Sequence, residues 1–156
     1  MRSVEDLHRA ARDIIAASAA PWAITSDLTA RVVQTVFLTD DWRTGFFTGR
    51  TTRKVLLLKR NASLTLAYHA TEEGSYVTVH GKAEVTEDKE RKRAVWQPSL
   101  DRWYPDGPAD PDLALIELSA QHIEIWSASR GIMPGTGAVI LTRGADGWTL
   151  GSSETP

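Results

Sequence analysis

The segment "GRTTRK", residues 49 to 54, sets two threonines beside three cations where an aromatic strand gives way to a leucine-rich helix. The first turn of a helix leaves backbone N–H groups unpaired and carries the positive end of the helix dipole. Cations are unfavourable there unless an anion faces them. Thr51, Thr52, Arg53 and Lys54 together could therefore hold a phosphate monoester. The same residues also fit a turn whose cations point into solvent. Phe46, Phe47 and Thr48 end the preceding strand beside this turn, an arrangement suited to a planar ring system with a phosphate tail. Arg31, in "RVVQ", adds a cation on a neighbouring strand, and alternation puts it on the same face as Val33.

Other chemistries find no support. The 156 residues contain no cysteine, which excludes disulfides, thiolate metal sites and cysteine nucleophiles together. His8, His69, His80 and His122 are scattered at spacings that suggest no metal site. Hydrolase elbows and the zinc-protease motif are absent, and carboxylate pairs such as Glu72 and Glu73 fall in turns, where solvation explains them. A formal charge of −2 and a pI near 6.1 provide no broad basic face for nucleic acid or an anionic membrane. No apolar run approaches the ~20 residues of a membrane span. "AASAAPWA" follows a charged helix rather than an apolar run, so it does not fit a secretory signal. The expectation is a cytoplasmic protein.

The elements that must position the turn follow from periodicity. Residues 3–18 form an amphipathic helix, with Ser3 capping it, Asp6 three residues on, and Val4, Leu7, Ala11, Ile14 and Ile15 on one stripe. From Pro21 the period becomes two: "WAITSD", "ARVVQTVFL" and "GFFTG" read as strands. The helix "TTRKVLLLKRN" follows. "SLTLAYHA" and "SYVTVHGKAEVT" alternate, and Gly81 in the second suggests a bulge or close backbone approach. "EDKERKRAVWQ" reads as a charged helix ending before Pro98, and "WYPDGPADPD" as a loop. "LALIELSAQHIEIWSA" gives one long strand or two short ones, and residues 131–156 a terminal hairpin and tail. One domain of six to eight mostly antiparallel strands, a β-barrel with flanking helices, is the architecture these predict.

"FFTGRTTRK" resembles the phosphate-binding segment of the pyridoxamine 5′-phosphate oxidase family, where an aromatic pair and threonine precede a short turn and Ser/Thr-Arg-Lys. "VTVHGKAEV" resembles the strand with G-x-A-E that follows it there. "WYPDGPADPD" and "IEIW" resemble later segments of the general stress protein 26 branch. The resemblance covers about residues 24 to 128. It implies an FMN-binding split barrel that works as a homodimer, with the flavin at the subunit interface. Arg31, Thr52, Arg53 and Lys54 would hold the FMN phosphate. The backbone of Val32, Val33 and Gln34, with Phe47 and Thr48, would line the isoalloxazine. Tyr76 falls where relatives place a polar flavin contact, and Trp126 resembles the tryptophan that reaches the flavin of the other subunit.

The flavin carries the hydride chemistry in such a protein, so no catalytic acid or base is implied. The family's substrate-phosphate lysine corresponds to Val36, and after Trp126 only Arg130 offers a cation. These departures imply an oxidoreductase without pyridoxamine-phosphate oxidase activity. The alternatives are a non-catalytic flavin-binding stress protein and a relative using FAD or deazaflavin F420. Apolar "LALIEL" and "IEIW" are the stretches expected to supply the dimer surface.

Overall fold

The computed structural model describes residues 2–133 and 139–152. Helix α1 spans Val4–Ala17. The expected capping box forms: the Ser3 hydroxyl accepts from the Asp6 N–H, and the Asp6 carboxylate accepts from the Ser3 N–H. Its stripe buries Leu7, Ala11 and Ile14 against the sheet, each large side chain contributing about 1.5–3 kcal/mol.

The strands are β1 (Trp22–Thr25), β2 (Ala30–Val32), β3 (Thr35–Leu38), β4 (Arg43–Gly49), β5 (Ser63–Ala70), β6 (Ser75–Thr86), β7 (Leu113–Ser127), β8 (Val139–Gly144) and β9 (Gly147–Ser152). Helices α2 (Arg53–Arg60) and α3 (Lys89–Ala94) interrupt them. The pairing order is β2-β1-β5-β6-β7-β4-β3, with the β8–β9 hairpin hung on β7. Every pairing is antiparallel.

The order dictates the shape. β2 and β3 lie at opposite ends of the path, yet only Val33 and Gln34 separate them in sequence. Two residues span at most about 10 Å between their neighbours, so the sheet has to curl until its two edges nearly meet. The result is a half-barrel with a seam bridged by Val33–Gln34. Across its interior the Tyr68 hydroxyl donates to Thr35 Oγ1 at 3.4 Å.

This seam corrects the expectation of one strand over "ARVVQTVFL". Alternation runs through both halves, but the chain leaves one edge of the sheet and joins the other. With that break the described residues hold nine strands rather than six to eight. The charged helix is also shorter than residues 87–97. Asp88 caps it, and Val95 and Trp96 turn inward to a second apolar cluster with Phe47, Leu100, Leu113 and Leu115.

β7 is one long strand, bent where Gln121 is extra: His80 faces His122 and Gly81 faces Ala120. A Cβ on Gly81 would stand 2.0 Å from the Ser119 carbonyl oxygen. Both features expected of this glycine, bulge and close approach, are present. "LALIEL" is buried within this chain's own core, as are Ile123 and Ile125. Those stretches offer no spare apolar surface beyond the partly buried Trp126. Of the terminal segment, the hairpin is observed as β8–β9, while 134–138 and 153–156 lie outside the described residues.

Candidate functional site

The seam opens into a cleft of about 530 Å3, within the usual size range of small-molecule sites. Val32, Val33 and Gln34 form the wall from the bridging segment; Phe47 and Thr48 come from the end of β4, and Lys54 from the start of α2. Successive phenylalanines point opposite ways: Phe46 enters the main core, while Phe47 enters the second cluster and borders the cleft. Val55 and Leu58 dock α2 on the sheet, and this fixes where its first turn points.

That first turn is incompletely satisfied. Thr52 occupies the N-cap position, yet its side chain makes no capping bond. Among the described residues its Oγ1 is buried with no hydrogen-bond partner, and so is Arg31 Nη1. Burial, followed by the nearby Arg31 guanidinium, pulls the Lys54 ammonium below the ordinary lysine value. Among the described residues neither Arg31 nor Lys54 forms a salt bridge. Two cations and a hydroxyl thus converge at a helix start with nothing of opposite sign among them.

Arg53 is placed differently. Its exposed guanidinium donates to Asp27 Oδ2 at 3.1 Å. The Thr25 hydroxyl, the strongest influence on Asp27, holds that carboxyl down to about 2, so Asp27 is ionised throughout the neutral range.

Tyr76 and Trp126 lie elsewhere. They face each other across β6 and β7 with ring centroids 5.5 Å apart, and His69 stacks on Tyr76 at 4.2 Å. Register puts this row on the outer face of the sheet with Trp22 and Val32. Trp22, Val32 and Tyr76 are 53%, 58% and 44% exposed, an unusual amount of apolar surface for one face. Within one chain the structure brings together Arg31, Val32, Val33, Gln34, Phe47, Thr48, Thr52 and Lys54, and sets Tyr76 and Trp126 apart.

The rest of the cleft lining is not among the residues expected from the sequence. Ala20, Leu100, Arg102, Trp103 and Tyr104 complete it. The Tyr104 hydroxyl donates to the Phe47 carbonyl at 3.3 Å, and Trp96 Nε1 donates to Asp101 Oδ1 at 2.9 Å. These bonds hold the 98–104 segment against β4. The cluster of Trp, Tyr and Arg in a loop was the signal available for it, since exposed loop aromatics mark binding surfaces.

The chain belongs to the pyridoxamine 5′-phosphate oxidase-like family, whose sequence pattern matches residues 3–143. It is 35% identical over 69 residues to general stress protein 26 of Bacillus subtilis (strain 168). That match takes in 44% of this chain and 49% of the relative, so it spans about half the relative's length. A protein related to general stress protein 26 from Clostridium acetobutylicum superposes with a TM-score of 0.72 at 18% identity, over 81% of this chain and 92% of that one. The general stress FMN/FAD binding protein of Xanthomonas citri does so with 0.61 at 22% identity, over 74% and 86%. At such identities the likeness shows the fold: a split-barrel architecture, as the curled sheet indicates. No helix among the described residues is long and apolar enough to cross a membrane.

Proposed function

We propose that the protein binds FMN at the seam cleft and acts as a flavin-dependent oxidoreductase. The observation that carries this reading is the pair of buried, unpartnered polar atoms, Arg31 Nη1 and Thr52 Oγ1, beside a partly desolvated Lys54. Each buried polar atom without a partner costs about 1–3 kcal/mol. A phosphate monoester answers all three groups at once, accepting from the hydroxyl and both cations. It also meets the free N–H groups of the first turn of α2. The cleft beside it then takes the ring system, with Phe47, Thr48 and the backbone of Val32 to Gln34 along its edge.

Bound flavin supplies the hydride-transfer chemistry. The residues of this chain bind it, orient it and keep water from one side of the ring; none need exchange a proton. Arg53, held by Asp27, contributes less to the phosphate than Lys54. The similarity to a protein named for FMN/FAD binding supports a flavin, and a single anion cradle at the helix start favours the monophosphate.

The oligomer belongs to the same proposal. A second copy of this chain covers the outer face bearing Trp22, Val32, Tyr76 and Trp126. Val32 lies on that face and also borders the cleft, so a partner seated there closes the cleft and brings its own aromatic row near the ring. Val36 stands where the family's substrate-phosphate lysine would be, so pyridoxamine-phosphate turnover at a rate like an authentic oxidase is not expected.

The test is loading and turnover. Purified protein is incubated with FMN, FAD or F420, freed of unbound ligand, and assayed for NAD(P)H oxidation with an electron acceptor. Retention of FMN with turnover supports the proposal in full. Retention without turnover leaves a flavin-binding stress protein, and failure to retain FMN overturns the reading.

A further inference from the structure

A second cleft of about 470 Å3 adjoins the first and shares Gln34, Leu100, Arg102 and Trp103 with it as a common rim. Its remaining walls come from Thr35 and Val36 on β3 and from Gln97 and Ser99. Among the described residues the lining holds one cation, two amides, two hydroxyls and apolar surface, and no carboxylate. Arg102 makes no ion pair among the described residues; its guanidinium lies over the Trp103 ring, 4.8 Å from the centroid. The nearest acid in sequence, Asp101, is engaged by the Trp96 indole.

The segment that presents this pair is pinned. Leu100 is 3% exposed, and its carbonyl accepts from the N–H of both Trp103 and Tyr104 at 2.9 Å. Trp103 itself is 65% exposed, far more than an aromatic needed for packing. A water-facing tryptophan on a pinned backbone, carrying an unpaired guanidinium, presents a flat surface and a fork of donors. That geometry matches a planar carboxylate, which an arginine binds through two parallel bonds. It matches a phosphate dianion poorly, because Val36 and the amides offer no second cation.

We propose that this second cleft is the substrate subsite and takes a planar organic acid bearing one carboxylate, with Arg102 as the specificity-determining residue and Trp103 as its stacking surface. The inference rests on the flavin reading for the role of the site, although its binding chemistry stands on Arg102 alone.

Calorimetric titration tests it with benzoate and its neutral isostere benzamide, against protein with and without FMN. FMN affinity is measured first, so that loss of the flavin reading is recognised separately from loss of this one. Saturable benzoate binding is expected, with benzamide at least about tenfold weaker. Arg102→Gln should lose at least about tenfold in benzoate affinity, a difference of roughly 1.4 kcal/mol. Arg102→Lys should keep part of it, and in Arg102→Gln FMN affinity should fall by less than benzoate affinity does. The proposal is overturned if benzoate does not bind saturably, if benzamide matches it, or if Arg102→Gln binds it unchanged. A parallel loss of FMN affinity in Arg102→Gln would equally overturn it, by making Arg102 a flavin contact.

Discussion

Arg31 and Lys54 are like charges held close in a partly buried recess, an arrangement that costs stability unless an anion separates them. Arg31→Met removes the repulsion and the buried orphan while keeping an apolar stem of similar length. The FMN-free protein should unfold at a higher temperature with this substitution, and FMN should bind at least about tenfold more weakly. A thermal scan and a flavin titration on the same sample read both effects. A fall in both quantities would assign Arg31 to the fold rather than to a ligand. Lys54 and Arg53, adjacent in sequence, should separate by the same logic. Arg53 already has Asp27 and lies largely in solvent, so Arg53→Ala should cost FMN affinity less than tenfold, and Lys54→Ala more. The sequence showed which residue types meet at the helix start; it could not show which cation was already partnered, because Asp27 is 26 positions away.

At the scale of elements, legibility depends on whether the determining contact is local. Gly81 was readable because a side-chain-free position in an otherwise regular strand has few explanations. Gly81→Ala should be severely destabilising, by about 3 kcal/mol or more, since the obstacle is the Ser119 carbonyl oxygen, part of the backbone and unable to swing away. Chemical denaturation gives that difference directly; a loss below about 1 kcal/mol would mean the bulge at Gln121 relaxes freely. The break at Val33–Gln34 was not readable, because alternation continues through it and only the sheet order separates β2 from β3. Lys92 was hidden for a similar reason. In "KERKR" it looks like part of a solvated face, yet it is 1% exposed and its ammonium donates to the Asp110 and Leu113 carbonyls at 2.8 Å each. It fastens the far end of the loop that forms the cleft's second wall. Lys92→Met takes that donor from both carbonyls, leaving the Asp110 carbonyl only the Leu113 N–H at 3.2 Å, and should cost on the order of 2–3 kcal/mol. Amide hydrogen exchange should quicken across residues 101–112 before other regions; uniform exchange would show that the loop is held by its own turns.

For the whole molecule, the terminal hairpin is attached through aromatic and cationic packing. The His8 ring lies 5.3 Å from Trp42 and 5.0 Å from Trp148, with Arg12 over the first tryptophan and Arg143 over the second. Burial, then Arg12 and Arg143, lower the His8 pKa below its ordinary value of 6.5. A histidine that is harder to protonate folded than unfolded leaves the unfolded chain with more bound protons between the two values, so stability rises with pH there. The contribution is fully present above about pH 6.5 and is lost as the pH falls toward the folded value. His80, lowered by burial, then His122 and Lys82, acts in the same sense. The unfolding midpoint should therefore drop between about pH 7 and pH 5, and His8→Phe should make the drop shallower. An unchanged profile would show His8 to be freely solvated. Assembly belongs to this scale too. Light scattering at micromolar concentration should give the mass of two chains, and a Trp22→Glu substitution on the outer face should shift it toward one.

The central claim is that the basic threonine turn, with Arg31 across from it, holds the phosphate of FMN. Fluorescence titration of FMN and of riboflavin, which lacks the phosphate, against the wild type and the Arg31→Met/Lys54→Ala variant tests it most directly. Two charge-assisted bonds of roughly 1.5–3 kcal/mol each should make FMN bind the variant at least ~100-fold more weakly. Riboflavin should bind the wild type poorly and the variant no worse. Equal FMN affinities for the two proteins, or a riboflavin affinity that falls in step with FMN, would contradict the claim.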